Sequence, residues 1–497
     1  MRLRPQNQRL LFGLKLRQLR NERGLSFQQL AKLTGMSVSY LNEIERGKKS
    51  PRADKLADLT RALEIEPAEL SDFTLEASMM PVVELLQSDF LNELPLDRFG
   101  IELAKIVEII ASAPARVGAF ISALLELSRN YALLDENFYL AALRSWLEMQ
   151  ENYLEDSEAF AKTLREELGW DPDYVPTADG LREVLRKRHD YRVVEGGTAE
   201  HAAFADLDRV FIPADRTLLM APTLRERDLR YHFAKELAYQ TMEIGGRSLT
   251  APMVRVQGFD MALAHARANA FAAALLLPAA QVDAEIKDFF GEGEPALDVF
   301  QQLLSKYRVT PELLLDRLAA MLPRYRDIKS LFYIRLVETV PGRFQVAREL
   351  HLGERHRPHA TGLTEHYCRR WIGAELLLRG RASAKTGVQV EQFYGSDDEY
   401  LVLALADVTH DGRREAAFLG MPLTPELEAT VPALLRANLR RRVVSNTCER
   451  CPIEDCGVRA APPVFARARA KRKAVADGIE ELQRRARQAA RRSRGRI

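Results

Sequence analysis

The stretch that decides the fold of the first part of the chain is residues 23–63, RGLSFQQLAKLTGMSVSYLNEIERGKKSPRADKLADLTRAL. Ser26 and Gln29 have the spacing of a capping box, so a helix is predicted to begin there. Gly35 is predicted to end that helix, because glycine adopts the left-handed conformation of a helix C-terminus. Ser37 is predicted to cap the next helix. Two helices joined by a tight, glycine-containing turn are therefore expected.

This pattern closely resembles the lambda-repressor-like, XRE-type helix-turn-helix DNA-binding domain, over residues 1–75. The resemblance implies that the third helix enters the major groove of double-stranded operator DNA. The positions that match base-reading or groove-facing residues are Ser37, Val38, Ser39, Tyr40, Asn42 and Glu43. The positions that match phosphate contacts are Arg46, Lys48 and Lys49. A small helical bundle that binds another protein is the alternative.

At three other positions this stretch either matches or departs from that domain. Arg20 and Glu45 match the positions of a buried ion pair between the first and third helices. Phe27 is a departure, because many relatives have a phosphate-contacting glutamine there. We therefore expect the ion pair to be present and that phosphate contact to be missing.

The 497 residues carry a net charge of only +2, so overall charge does not indicate a nucleic-acid binder. The basic tail, residues 466–497, has twelve Lys and Arg against three Asp and Glu. It is predicted to be either a solvated extension or an additional contact to DNA. The N-terminus lacks a signal-peptide pattern and no apolar run is long enough to span a bilayer. We therefore expect a cytoplasmic protein with no membrane partner.

Residues 76–172 have a helical pattern without chemical motifs, which is typical of a connector. We expect this connector to support a homodimer, since helix-turn-helix domains commonly read paired half-sites.

Residues 173–325 resemble the ImmA/IrrE metallopeptidase family, whose helix carries His-Glu-x-x-His. Two histidines four residues apart share one helix face and hold zinc, while the Glu acts as base. Here Glu236 is present, but Lys235 and Tyr239 occupy the histidine positions, and Arg267 stands where the third ligand is expected. We therefore predict a degenerate, zincin-like α+β domain with no catalytic residues. Glu236 is expected to pair with Lys235 or Arg267, or the vacated cleft to receive an anionic ligand.

Residues 326–465 are rich in alternating, strand-like segments and are predicted to form a small-molecule sensor domain. This region contains all four cysteines of the chain: Cys368, Cys448, Cys451 and Cys456. The Cys-x2-Cys-x4-Cys spacing, with Cys368 as a fourth ligand, suits either zinc or an iron–sulfur cluster. Buried cysteines without a metal are the alternative.

Taken together, the DNA-binding segment, the degenerate peptidase segment and the cysteines resemble the short-chain fatty-acyl transcriptional regulators, the RamB/PrpR group. The resemblance implies an acyl-CoA-like effector and a [4Fe-4S] cluster on the four cysteines, with zinc as the alternative. Arg369 is a departure, because a proline usually follows the first cysteine. The basic tail is also outside the family pattern.

The predicted fold is multidomain, mainly α with α+β parts. The predicted function is sequence-specific transcriptional regulation in response to a metabolite, a redox state or both, without enzymatic activity. A metallopeptidase that cleaves a partner regulator and a phage-type repressor without a small ligand are the competing interpretations.

Overall fold

A computed structural model describes residues 5–71, 135–254, 256–291, 297–353, 365–379, 385–432 and 439–494, together with residues 98, 100 and 105. The chain divides into two compact units. The first unit is Met1–Trp146 with Arg255–Ala262, and the second is Leu147–Val254 with Leu263–Ile497.

Five helices form the described core of the first unit. They are α1 (Pro5–Glu22), α2 (Phe27–Thr34), α3 (Val38–Glu45), α4 (Ala53–Leu63) and α5 (Pro67–Ser71). The predicted capping box is present, since the Ser26 hydroxyl accepts from the Gln29 N–H and the Gln29 side chain accepts from the Ser26 N–H. Gly35 ends α2 with φ +66°, and the Ser37 hydroxyl caps α3. The sequence prediction of this turn is confirmed.

Helices α1 and α3 are joined by a buried ion pair and a close backbone contact. The Arg20 guanidinium donates to both carboxylate oxygens of Glu45, at 2.6 and 3.1 Å. The Phe27 ring lies 4.3 Å from the Arg20 guanidinium carbon and covers the pair. At Gly13, a Cβ would lie 2.5 Å from the Ile44 carbonyl oxygen, so only glycine permits this approach. The predicted Arg20–Glu45 pair is confirmed, and Phe27 contributes to the interior of the fold.

The predicted helical connector, residues 76–172, lies largely outside the described residues. Its described part contains the helices α6 (Asp135–Met149) and α7 (Glu155–Glu167).

The N-terminal half of the second unit contains a small mixed sheet. Its strands are β1 (Arg192–Glu195), β2 (Arg209–Ile212), β3 (Thr217–Met220) and β4 (Thr250–Ala251), in the order β1-β3-β2-β4. Only the β1–β3 pairing is parallel. The helices that accompany the sheet are α8 (Ala178–His189), α9 (Glu226–Thr241), α10 (Phe259–Leu276), α11 (Ala279–Glu285), α12 (Val299–Tyr307) and α13 (Pro311–Tyr325). The hydroxyl of Thr310 caps α13.

A six-stranded sheet forms the C-terminal half of the second unit. Its strands are β5 (Leu331–Val340), β6 (Arg343–Leu352), β7 (Lys385–Phe393), β8 (Glu399–Val408), β9 (Arg414–Pro422) and β10 (Arg441–Val444). The order is β10-β7-β8-β9-β5-β6, and only β10 pairs in parallel.

Helices pack against both faces of this sheet, which explains the nearly continuous burial of its strands β8 and β9. Along β8, Leu401 and Leu403 belong to the core that contains α13. The alternate residues Val402 and Ala404 pack with a second helix, α14 (Ile372–Leu378). Side chains of opposite parity along a strand point to opposite faces, so both faces of the sheet are apolar.

The remaining helices are α15 (Pro425–Thr430) and a 31-residue helix, α16 (Val464–Arg494). Most of the predicted basic tail is therefore helical. In the described part of the chain, no helix combines the length and apolar character needed to cross a bilayer.

Candidate functional site

The N-terminal end of α3 presents short side chains to solvent. Val38 keeps 42% of its surface exposed, and Ser37 and Ser39 are also exposed. Leu41 and Ile44 of the same helix are fully buried and hold it against the core of the unit. Because the buried face is fixed, the exposed face is rigid enough to enter a DNA groove.

Charged residues at the C-terminal end of α3 form a small exposed cluster. The Lys49 amine lies 2.8 Å from the Glu43 carboxylate and 5.7 Å from the centre of the Tyr40 ring. Hydrogen bonding to Glu43 raises the pKa of Lys49, so this amine stays protonated at neutral pH. Arg46 and Lys48 are exposed beside it. The structure thus brings the predicted phosphate-contacting residues together at one end of the helix.

Glu236, the expected base of a zinc peptidase, is fully buried and paired with two arginines. The Arg209 guanidinium lies 2.9 Å from one Glu236 oxygen, and Arg247 contacts the other. The Tyr191 hydroxyl donates to the same oxygen as Arg247, at 3.0 Å. Two permanent cations therefore surround this carboxylate, in a region where a peptidase has one metal dication. The expectation that Glu236 pairs with Lys235 or Arg267 is wrong.

Tyr239, at the second histidine position, packs against one of these arginines. The Arg247 guanidinium carbon lies 4.5 Å from the Tyr239 ring centre and 3.8 Å from the Phe211 ring centre, so the cation is held between two aromatic faces. Sequence reasoning missed Arg209 and Arg247 because they lie outside the Lys235–Tyr239 motif.

Lys235, at the first histidine position, is buried and makes no ion pair within the described chain. Its amine lies 3.4 Å from a His265 ring nitrogen and 5.4 Å from the Tyr231 ring centre. Burial, together with the positive charge of Arg209, lowers the pKa of Lys235 well below its usual value. Burial likewise lowers the pKa of His265. This location therefore contains two weakly basic nitrogen groups.

Arg267, at the third ligand position, is directed away from Glu236. Its guanidinium lies 2.5 Å from the Asp156 carboxylate of α7, and its backbone carbonyl accepts from the Ser157 hydroxyl. His232, which also lies near the motif, has its Nε2 atom 3.8 Å from Asp208. Burial lowers the pKa of His232 as well.

The cysteines lie on two adjoining loops. Tyr367 pairs with Thr447 as an isolated antiparallel bridge. The Cys368 N–H donates to the Asn446 carbonyl at 3.0 Å, and the Cys448 N–H donates to the His366 carbonyl at 2.8 Å. These backbone contacts bring Cys368 beside the loop that contains the other three cysteines. All four are free of disulfide bonds.

Two of the sulfur atoms accept hydrogen bonds from the backbone. The Ser445 N–H lies 3.5 Å from the Cys368 sulfur, and the Ala460 N–H lies 3.3 Å from the Cys448 sulfur. Burial raises the pKa of the Cys368 thiol to about 12. Among the residues that the structure describes, no three His, Cys, Asp or Glu side chains are grouped at metal-ligand spacing. The four donors are of the right type for a metal, but their placement does not form a ligand set.

Comparison with known proteins identifies the class of the chain. Residues 11–73 match the model of the family described as "Helix-turn-helix domain". The control protein C.BamHI of Bacillus amyloliquefaciens is 38% identical over 69 residues, which cover 14% of this chain and 85% of that protein. The chain belongs to the XRE-type helix-turn-helix transcriptional regulators.

Similarity extends beyond the DNA-binding segment of this regulator. The HTH-type transcriptional regulator RamB of Mycobacterium tuberculosis is 27% identical over 355 residues, covering 64% of this chain and 67% of RamB. A solved Mycobacterium tuberculosis transcriptional regulator matches 64% of this chain and 92% of its own, at 18% identity and a TM-score of 0.47. The sequence alignment with RamB makes the regulator homologous to that protein over 64% of the chain.

We predict that Glu236 stabilises the second unit. Glu236→Gln leaves Arg209 and Arg247 without a counterion in the interior, which is expected to cost about 3–5 kcal/mol of unfolding free energy. Urea unfolding of the full chain, followed by tryptophan fluorescence, measures this loss. Glu243→Gln is the matched control, because Glu243 is exposed and its loss is expected to have almost no effect. Equal stability of the two variants would contradict the structural role.

Proposed function

We propose that this regulator binds operator DNA sequence-specifically through α3, as a homodimer, and that its second unit responds to an acyl-CoA-like metabolite. The observation that carries the DNA-binding proposal is the exposed N-terminal end of α3 together with the exposed basic cluster at the C-terminal end of the same helix. Short side chains at Val38 and Ser39 allow close approach to base edges. The cations Arg46, Lys48 and Lys49 are placed to contact the phosphate backbone.

The exposed ion pair between Glu43 and Lys49 is part of the proposed DNA interface. Water and salt screen an exposed ion pair, so it contributes little to stability and DNA is able to replace it at low cost. Once Lys49 contacts a phosphate, the Glu43 carboxylate becomes free to accept from a cytosine amino group.

Substitutions in α3 separate sequence reading from charge attraction. Ser39→Ala is expected to change the preferred DNA sequence, because Ser39 is placed at base edges. Lys48→Gln is expected to weaken binding to all sequences alike and to lower the slope of log affinity against log salt by about 1. Fluorescence anisotropy over a salt series, with a panel of operator variants, measures both effects.

Arg61→Gln is the control for Lys48, because Arg61 lies at the end of α4 with 80% of its side chain exposed. We expect Arg61→Gln to leave the salt slope unchanged. A changed sequence preference for Lys48→Gln with none for Ser39→Ala would contradict the placement of α3 in the groove.

The effector proposal rests on Lys235 and on two ion pairs that join α13 to the strands β5 and β6. Glu312 and Asp316 lie on α13, and Arg335 and Arg348 lie on β5 and β6. Arg335 pairs with Glu312 at 3.0 Å, and Arg348 pairs with Asp316 at 2.8 Å. The Glu312 carboxylate opposes the lowering of the Lys235 pKa, which indicates that the two groups are near one another.

These polar side chains are partly accessible although they lie deep in the unit. The side chains of Glu312, Arg335 and Arg348 keep 30%, 26% and 31% of their surface accessible. Burial is nevertheless the main reason why the pKa of Glu312 is raised. We infer that their accessible surface faces an internal cleft. Since Lys235 has no carboxylate partner, a ligand carbonyl or anionic group is suited to this amine.

Ligand binding tests the effector proposal. Full-length protein is expected to bind short-chain acyl-CoA thioesters in calorimetry more tightly than free CoA or free fatty acids. Lys235→Met is expected to weaken this binding at least about ten-fold, by removing a buried hydrogen-bond donor. Lys162→Met is the control, since the Lys162 side chain is 80% exposed. Equal affinity of both variants, or no binding by the wild type, would contradict the proposal.

We further propose that Cys368, Cys448, Cys451 and Cys456 hold a [4Fe-4S] cluster, with zinc as the alternative. The support is that two hydrogen-bonded loops carry all four thiols, with N–H groups directed at the Cys368 and Cys448 sulfurs. A cluster would add one-electron redox chemistry there, and zinc would add rigidity alone. Either requires the sulfurs to move into a common ligand set and to lose their protons.

Anaerobic purification tests this proposal. Cys448→Ser is expected to remove the visible absorption of the cluster and to change operator affinity at the same time, because the cluster no longer joins the two loops. Val458→Ser, at an exposed position of the same loop, is the control and is expected to retain both properties. Colourless wild-type protein with one zinc per chain would select the alternative, and metal-free protein with normal DNA affinity would refute both.

A further inference from the structure

The long C-terminal helix α16 exposes an apolar stripe. Val475, Ile479 and Leu482 keep 57%, 51% and 67% of their surfaces exposed. Their spacing of four and three residues places them on one face of the helix. Large aliphatic residues at consecutive turns of one helix face are typical of a surface that another helix covers.

The stripe follows a heptad repeat over the part of the helix whose side chains are described. Positions a and d alternate at intervals of three and four residues: Phe465, Ala468, Arg472, Val475, Ile479, Leu482 and Ala486. Ile479 occupies an a position and Leu482 the next d position, which is the combination favoured in parallel two-stranded coiled coils. Arg472 is the one charged residue in this seam, and a single polar a residue fixes register and strand number at a cost in stability.

The charges beside the seam are compatible with a second copy of the same helix. In a parallel pair, a residue at position g faces the next e residue of the other helix. Lys471 then faces Ala476, and Gly478 faces Gln483, so no like charges meet at these flanking positions. An antiparallel pair would bring g positions together, and the charged g residues Lys471 and Arg485 are both basic.

We propose that α16 pairs in parallel with α16 of a second copy of this chain, through Val475, Ile479 and Leu482. This inference rests on the proposed function, because it supplies a pairing surface for the homodimer. The outward face of the paired helices keeps the basic residues. DNA phosphates would be attracted to that basic face, but contacts to DNA phosphates would leave the apolar stripe uncovered.

The start of α16 is attached to the cysteine loop. The N–H groups of Phe465 and Ala466 donate to the Glu449 carbonyl at 3.0 and 3.1 Å. The Arg450 guanidinium carbon lies 5.3 Å from the Phe465 ring centre. Since Glu449 and Arg450 lie between Cys448 and Cys451, a change in that loop would be transmitted to the base of the paired helices.

Substitutions in α16 of the full chain distinguish the second copy from other partners. The double variant Ile479→Ser with Leu482→Ser is expected to raise the dimer dissociation constant at least about ten-fold in sedimentation equilibrium. Lys473→Ser with Arg484→Ser is the control, since these residues lie on the outward face, and the dissociation constant is expected to stay unchanged. Both residue pairs are exposed, so circular dichroism should show the same fold for each variant.

Arg472→Leu gives a test of opposite sign. It removes two cations from the seam of a parallel pair, so dimerisation is expected to tighten several-fold. If the helix instead bound DNA or lipid, Arg472→Leu would weaken retention on non-operator DNA or on vesicles with 30% phosphatidylserine, and the dimer would not change. That result would overturn the inference. An unchanged dimer dissociation constant for the Ile479→Ser and Leu482→Ser double variant would overturn it as well.

Operator binding separates this inference from the proposed function. The Ile479→Ser and Leu482→Ser double variant is expected to bind a single half-site as tightly as wild type and to lose cooperative binding to a paired site. Suppose that the wild type binds the paired site cooperatively and the Ile479→Ser and Leu482→Ser double variant does so equally. The pairing surface is then wrong, while the DNA-binding function stands. If wild type prefers no DNA sequence at all, the proposed function itself fails.

Discussion

Both units are organised around a buried carboxylate, which is stable in a protein interior only when cations and hydrogen-bond donors surround it. In the first unit Glu45 joins α3 to α1 through Arg20. In the second unit Glu236 joins α9 to the small sheet through Arg209 and to the following loop through Arg247. Each pair connects segments that are distant in sequence. The first pair therefore fixes α3, whose exposed face is proposed to read DNA. The second cluster fixes α9, which carries the buried Lys235.

The second of these clusters explains why the peptidase-like motif has a different role here. A catalytic Glu has to be free to take a proton from a metal-bound water, whereas both oxygens of Glu236 contact guanidinium groups. Tyr239 contributes an aromatic face to Arg247 instead of a metal ligand. Lys235 is the residue of the motif that has no carboxylate partner in the described chain, and it is the one available for a ligand. The geometry thus supports a binding role for this region and gives no route to hydrolysis through Glu236.

The sequence predicts some of these features because they depend on neighbouring residues. The cap at Ser37 and the left-handed turn at Gly35 are local, and the Arg20–Glu45 pair was available from the family pattern. The partners of Glu236 were not predictable, because Arg209 precedes it by 27 residues on a strand and only the folded chain brings the two side chains together. The burial of β8 and β9 on both faces was also not predictable, because it depends on helices that pack against the sheet from other parts of the chain. The exposure of the α16 stripe required coordinates, because a sequence does not show whether an apolar face is already covered.

The proposed function depends most directly on the reading of a DNA sequence by α3 of this regulator. Selection of binding sites by the full-length protein from a random duplex pool, sequenced over several rounds at physiological salt, tests that claim. The account predicts enrichment of one motif with two related half-sites, with centres about one helical turn or a multiple of it apart. A pool that retains random sequence after repeated rounds, while the protein still binds DNA through charge alone, would contradict it.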